Sequence, residues 1–442
     1  MQIDSIELTN FAGFKSLEID FNYKHDDTTV IIGNNGSGKT SIIEGVVTSL
    51  SWLTARILRE EGKGSPIDEL KIHNGESTAT TAISVGYNST QFKWQIAKTR
   101  KGRKAQSSTE LANATELAKN LRASLSETPD TANLPLIAYY STERVVVEVP
   151  LKIRTKHTFG QVDGYDQALS AGVDFRRFFE WFREREDAEN ENTLSLEALN
   201  SLKELLDMPE PEWEKFEANI KNRKDRQLNA VREAISLFME SFTNLRIKRS
   251  PLRMLVDKEG QELDVRQLSQ GEKSLMALVG DISRRLAMMN PSLENPLHGN
   301  GIILIDEVDM HLHPRWQRKI VTNLRRAFPK CQFILTTHSP LVISDPKNVN
   351  TLMLDNGEMR HVENLYGLDA NLVLSREMGV PVRNAEVDHA IDTIYELIQD
   401  NELDLAEERL KDLRLDLPTN HLEVAKLELI LKRKSKINEA NQ

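Results

Sequence analysis

A single cysteine, Cys331, stands in the 442 residues, which excludes an intramolecular disulfide. It opens the apolar stretch "CQFILTT", where an inert buried thiol is expected and not a nucleophile. No uninterrupted apolar run approaches the ~20 residues of a membrane span. The opening "MQIDSIELTNFAGF" has neither the basic n-region nor the apolar h-region of a signal peptide, so a cytoplasmic location without membrane contact is expected. No internal repeat or low-complexity tract appears, which excludes a repeat array. Positive charge is in the minority: 57 Lys and Arg against 67 Asp and Glu leave −10, so any nucleic-acid contact needs a local basic patch. Neither an H-N-H nor a Ser/His/Asp constellation is visible. What remains, at 39% hydrophobic and 28% charged residues, is the composition of an ordinary globular protein.

The most informative stretch present is "VIIGNNGSGKTSIIEGV", residues 30–46. A strand feeds a turn holding Gly33, Asn34, Asn35, Gly36, Ser37 and Gly38, then Lys39, Thr40 and Ser41, then a helix. The spacing G-x-x-x-x-G-K-[ST] is complete. Glycine permits the tight turn and lets backbone N–H groups approach an anion. The helix start adds its N–H groups and positive dipole end. Lys39 is placed to reach the β- and γ-phosphates and the Thr40 hydroxyl to ligate Mg²⁺, so ATP with Mg²⁺ is the expected ligand pair.

Along the chain, "IDSIELTNFAGFKSLEIDF" alternates apolar and polar residues and predicts strands. Residues 79–101 predict an antiparallel sheet joined through "NST", and "PLIAYY" a short core strand. Residues 166–240 turn helical and charged. "GIILID" and "CQFILTTHS" predict two buried parallel strands with the helix "RWQRKIVTNLRRAF" between them. The expected organisation is an α/β head with a mixed sheet and an antiparallel N-terminal sheet: an N-terminal lobe over 1–150, a helical arm over 151–250, a C-terminal lobe over 251–380 and a helical tail over 381–442.

Three more motifs follow in order: "LSQGEKSL" from Leu268, "GIILIDEVDMHLHP" over 301–314, and "TTHSP" ending at Pro340. Asp306, at the carboxyl end of its strand, is a candidate for the Mg²⁺ shell. Glu307 beside it is the candidate to polarise the attacking water. His338 leaves the next strand, placed for the γ-phosphate or that water. Ser269, Gly271 and Glu272 open a helix and form a second anion site of the helix-N-terminus kind.

Order and wording resemble the ABC-type ATPase heads of the SMC, RecF, RecN and OLD families. The resemblance implies a head-to-tail homodimer, or a higher oligomer built on it, in which Ser269 and Gly271 of one subunit cap the ATP of the other. The "HLHP" ending is similar to OLD-like heads. "LPLIAYYSTERVV" and the charged arm that follows look like the ATPase subunit of the Septu antiphage system (PtuA), including its retron-associated versions. That likeness implies a partner HNH nuclease, PtuB, and, for the retron versions, a reverse transcriptase with its RNA–DNA. Unlike OLD nucleases, no Toprim domain follows "TTHSP", so the effector is expected on another chain. The alternative is a RecF- or RecN-like repair ATPase that clamps DNA. A Q-loop glutamine is not fixed by the pattern: Gln161 and the stretch after Tyr140 compete.

For DNA, "KTRKGRK" (Lys98, Arg100, Lys101, Arg103, Lys104) reads as a hairpin tip, with "LKIRTK" (Lys152, Arg154, Lys156) as a second patch. Exposed charge for solubility is the competing reading. Phe175, Phe178, Phe179 and Phe182, at helical spacing, read as a packed face and not a base-stacking platform. His311 and His313 read as a loop at the dimer interface. Tail stripes (Ile391, Ile394, Leu397, Ile398; Leu422, Leu427, Leu429, Leu431) are expected to pack on the head, a second protomer or a partner.

Overall fold

The computed structural model describes residues 1–22, 27–129, 131–142, 159–170, 175–192, 209, 213, 225–363, 365–379, 384–418 and 420–440. The N-terminal alternation forms β1 (Gln2–Phe11) and β2 (Phe14–Asp20), which with β4 (Thr78–Tyr87) and β5 (Thr90–Thr99) make an antiparallel sheet in the order β2-β1-β4-β5. The period of two sends Ile6 and Leu8 inward, and a register shift between Ile3 and Ser5 and the left-handed Asn10 interrupt the alternation on either side, so that Ile3 and Phe11 are buried as well.

The second sheet places the site. Its order is β13-β12-β3-β11-β10-β6, with β3 (Thr28–Gly33), β6 (Leu136–Tyr140), β10 (Gly301–Ile305), β11 (Cys331–Thr336) and β12 (Asn350–Asp355) parallel. Only the edge strand β13 (Glu358–Val362) runs antiparallel. β3, β10 and β11 are buried along their whole lengths, as continuous apolar runs in parallel sheets require. Parallel neighbours in register bring their carboxyl ends to one level, where the loops after β3, β10 and β11 emerge together.

Helix α1 (Lys39–Leu58) follows β3 and packs on α2 (Ala112–Glu127) and β4. Among the described residues it is the one helix long and apolar enough to cross a membrane, and its apolar face is spent inside the head. In the arm, α3 (Phe175–Asn192) and α4 (Arg226–Phe238) are joined by Arg232, which pairs with Glu186 at 3.2 Å and Glu189 at 2.9 Å. Phe175, Phe178, Phe179 and Phe182 are fully buried, a packed face. One sheet has no counterpart in the sequence reading: β7 (Phe242–Arg249), β8 (Leu252–Lys258) and β9 (Gln261–Asp264), antiparallel, leading into the "LSQGE" helix.

That helix, α5 (Gln270–Met289), is buried along most of its length. Its centre carries charge: Asp281 accepts from Arg284 at 2.7 Å, Arg285 at 2.7 Å and the Tyr140 hydroxyl at 2.9 Å. Arg285 also donates to the carbonyls of Gly164 and Asp166. Burial pushes the Asp281 carboxyl up, and the two guanidinium groups outweigh it, holding the group well below the usual carboxylate range.

The chain divides by contacts into 1–368 and 369–442. Beyond the short α7 (Pro340–Ser344) of the first unit, the second contains α8 (Ala370–Arg376), α9 (Ala385–Gln399), α10 (Leu403–Asp416) and α11 (Leu422–Ala440). Its stripes find a partner the sequence reading did not weigh, which is each other. Ile391, Ile394 and Ile398 pack with Ala406, Leu410, Leu413, Val424, Leu427 and Leu431 in one core. Leu422 and Leu429 stay exposed.

Replacing Asp281 by Asn leaves two buried guanidinium groups without a counter-charge. The expected cost is roughly 3–5 kcal/mol, the range for breaking a buried ion pair. A urea titration of the variant reads it, and a loss below about 1 kcal/mol contradicts a central role for this cluster.

Candidate nucleotide-binding site

The loop between β3 and α1 is built for close approach. Gly38 has φ +109°, and a Cβ there would stand 2.7 Å from the ring of Phe14, so only glycine fits. Gly38 is also the N-cap of α1, with no side-chain cap and no acidic residue in the first turn. The N-terminal N–H groups of α1 therefore have no side-chain acceptor, the condition under which a helix start takes an anion. Asn34, Asn35 and Gly36 are exposed at the loop's outer edge. Ser37 Oγ is buried without a hydrogen-bond partner. Lys39 folds back over the loop and donates to the carbonyls of Gly33 at 2.8 Å and Asn34 at 3.0 Å. Burial lowers its pKa, against the pull of Glu307, Asp306 and Asp309. Thr40 is exposed at its backbone turn and Ser41, next along, is half-buried.

Asp306 sits beside this loop, 1% exposed. Its Oδ2 accepts from the Thr40 hydroxyl at 2.9 Å, its Oδ1 accepts from the Thr336 hydroxyl, and its N–H donates to the Tyr140 carbonyl at 2.8 Å. The ends of β6 and β11 and the start of α1 after β3 thus meet on one residue at the end of β10. Glu307 follows with φ +47°, a left-handed conformation that costs a non-glycine residue about 1–3 kcal/mol. Its N–H donates to Thr336 Oγ1 at 2.8 Å, which holds that conformation in place. His338 leaves the same strand end, half-buried. Burial and then the Lys39 charge lower its pKa below the ordinary histidine value, while the carboxylates of Glu307, Asp309 and Asp306 oppose the shift. The net effect favours the neutral imidazole.

Ser269 lies at another helix start. It is the N-cap of α5 and forms a capping box: its Oγ accepts from the Glu272 N–H, and its own N–H donates to the Glu272 carboxylate at 2.8 Å. The second carboxylate oxygen of Glu272 pairs with Lys258 at 2.6 Å. Glu272 is therefore turned inward as a brace, and Ser269 and Gln270 are exposed at this end. A Cβ on Gly271 would stand 2.4 Å from the His311 carbonyl, so the helix start rests directly on the turn after Glu307.

Several expected features land elsewhere. The segment with Lys98, Arg100, Lys101, Arg103 and Lys104 is not the β4–β5 turn, which is at Asn88 and Ser89; it forms the turn at the far end of β5, from which the chain comes back antiparallel to pair Glu110 with Gln95. Arg100 spends its guanidinium on the carbonyls of Glu76 and Ile72. Lys152, Arg154 and Lys156 lie outside the described residues. Gln161 donates to the carbonyls of Ala132 at 2.7 Å and Met289 at 2.8 Å, a bracing position. His313 caps α6 (Pro314–Ala327) by accepting the Arg315 N–H, and His311 is exposed with φ +62°. Thr336, Asp309 (which accepts from the Thr337 hydroxyl) and Gln317 are site-shaping residues that motif reading passed over. The paired hydroxyls of "TTHS", at the end of a strand next to "IDE", were the available signal.

Known proteins agree in kind. A family model described as "AAA domain, putative AbiEii toxin, Type IV TA system" matches residues 28–344, and an "AAA ATPase domain" model matches residues 1–47. The "Retron Ec83 probable ATPase" of Escherichia coli is 33% identical, covering 81% of this chain and 72% of that protein. The "Retron Vc95 probable ATPase" of Vibrio cholerae is 35% identical, covering 78% and 71%. The "Septu protein PtuA" of Bacillus mycoides is 25% identical over 77% of this chain and only 38% of its own length.

The electrostatics give a direct test. Lys39 disfavours the imidazolium, so Lys39→Ala is expected to raise the His338 pKa. Imidazole NMR titration of both proteins without nucleotide reads this. An unchanged or lower value in the variant contradicts the arrangement.

Proposed function

Because this chain belongs to the ATPase family that includes the Retron Ec83 and Retron Vc95 proteins, we propose that it is the ATP-hydrolysing subunit of an antiphage defence complex whose effector is a separate chain. One observation carries the catalytic half: the Thr40 hydroxyl meets the buried Asp306 carboxylate at 2.9 Å beside the uncapped start of α1. The relatives named for retrons and Septu support the defence half.

In this reading, residues 33–41 take the phosphates. The N–H groups at the start of α1 face them, and the Lys39 ammonium exchanges its loop carbonyls for phosphate oxygens. The unpartnered Ser37 hydroxyl fits such a polyanion. Thr40 and Asp306 hold Mg²⁺, which when bound neutralises charge on the phosphate oxygens. Glu307 takes a proton from the attacking water as the water oxygen bonds to the γ-phosphorus and ADP leaves. His338 offers a hydrogen bond to the same water or to the γ-phosphoryl group.

The motif order supports an ABC-type head that works as a head-to-tail homodimer. Ser269 uses its oxygen lone pair for its own helix cap, which leaves its O–H to donate to the γ-phosphate of a second subunit. Gly271 brings that helix start close, and Glu272 fixes it. The proposed effector is an HNH nuclease of the PtuB kind, joined in retron versions by a reverse transcriptase and its RNA–DNA. The 369–442 bundle, with Leu415, Leu422 and Leu429 exposed by 86%, 67% and 68%, is the proposed contact surface for that partner. DNA contact falls to Lys101, Arg103 and Lys104, all exposed.

Two experiments address this reading. Lys39→Ala is expected to weaken ATP binding, whereas Glu307→Gln retains ATP and slows hydrolysis by roughly 10²–10⁴-fold, the worth of a general base. Hydrolysis by Glu307→Gln at the wild-type rate removes Glu307 from its role. For the dimer, Ser269→Arg is inactive alone, and mixing it with Lys39→Ala restores one intact composite site per heterodimer. Absence of any recovery in verified heterodimers counts against action between subunits.

A further inference from the structure

Gln317, in the first turns of α6, spans the gap between the two loops that carry the hydrolytic residues. Its amide nitrogen donates to the Leu312 carbonyl at 2.9 Å and, less closely, to the Asp309 carbonyl at 3.4 Å. Its amide oxygen accepts from the Ser339 hydroxyl at 2.8 Å. Residues 309–312 form the turn that follows Glu307, and Ser339 is the residue after His338. Donor and acceptor ends of one planar amide are therefore committed to opposite loops.

At the strand end the two segments are also linked, by the Thr337 hydroxyl to Asp309, the Val308 N–H to the Thr336 carbonyl at 2.9 Å and the Glu307 N–H to Thr336 Oγ1 at 2.8 Å. Gln317 closes the same gap from the helix side. The turn it holds also supplies the His311 carbonyl against which Gly271 at the start of α5 is packed. Glutamine is the side chain this position requires. Leucine keeps the bulk and loses both ends. Glutamate keeps the acceptor for Ser339 but turns an anionic oxygen toward the carbonyls of Leu312 and Asp309.

We propose that Gln317 is a positioning residue that sets His338 against Glu307 for hydrolysis. The inference rests on the reading given above, in which those two side chains act on the water and the γ-phosphate. Gln317 touches no nucleotide-binding residue of the β3–α1 loop among its described hydrogen bonds, so its effect belongs in the chemical step and not in ATP affinity.

The test is a kinetic cycle on the full chain with Gln317→Leu, His338→Ala and the double variant. Gln317→Leu is expected to lower kcat by roughly tenfold or more, as a small misplacement of a reacting group does. Its KM for ATP stays within about threefold of wild type. The double variant is expected to be no slower than His338→Ala alone, because Gln317 acts through the histidine. If the two losses multiply, or if KM rises while kcat holds, the inference is overturned. Gln317→Glu, nearly the same shape, keeps the test open if the leucine variant does not fold: a slowed kcat supports the double link, and a wild-type kcat overturns it. A slow His338→Ala beside a full-rate Gln317→Leu overturns this inference alone. A full-rate His338→Ala overturns the role of the histidine and this inference together.

Discussion

One buried carboxylate organises the head. Asp306 is almost wholly out of water, and a charge in that position is tolerable only when its oxygens are satisfied. The Thr40 hydroxyl serves one oxygen, the Thr336 hydroxyl the other, and the Tyr140 carbonyl takes the N–H. These partners come from the ends of β6 and β11 and from the start of α1 after β3. Satisfying Asp306 therefore fixes the relative height of four neighbouring strands. The same hydroxyl of Thr336 then accepts from the Glu307 N–H and holds Glu307 in its left-handed conformation. A shift of one strand by one residue would break the cluster and move every loop at that edge.

A second buried charge cluster extends this order to α5. Tyr140 binds Asp306 through its backbone and Asp281 through its hydroxyl, so one residue belongs to both clusters. Asp281 in turn holds Arg284 and Arg285, and Arg285 reaches the carbonyls of Gly164 and Asp166. At the other end of α5, the capping box of Ser269 and Glu272 fixes the helix start, and Gly271 lets it rest on the turn after Glu307. The helix carrying Ser269 is thus attached to the Asp306–Glu307 edge at its first turn and again at its middle. A displacement at the Asp306–Glu307 edge has two routes of direct contact into this helix.

Much of this was legible because the relevant residues lie in contiguous motifs. The glycine-rich loop, the buried strands ending in Asp306 and His338, and the helix between them follow from local pattern alone. The three-stranded sheet over 242–264 was missed, since its short, charged strands ("FTNLRIKR") show weak alternation. The basic run 98–104 is a turn, but at the far end of β5 and not between β4 and β5, and the partner of its returning arm, Glu110 against Gln95, is a single bridge that leaves no strand pattern in the sequence. The tail was legible as amphipathic helices, but which surfaces meet is a tertiary fact, and the three helices satisfy one another. Thr336 and Gln317 were passed over for a related reason: a hydroxyl or an amide acquires its role only when parallel strands bring distant loops together.

The central claim is that Asp306, with Thr40, forms the metal-binding half of a nucleotide site. The most direct measurement is ATP affinity by calorimetry, with Mg²⁺ and with a chelator, for the wild-type chain and for Asp306→Asn. Equal affinities are expected in chelator, with a tightening by Mg²⁺ that appears in the wild type and is lost in the variant. An Asp306→Asn protein that Mg²⁺ tightens as much as the wild type would contradict it.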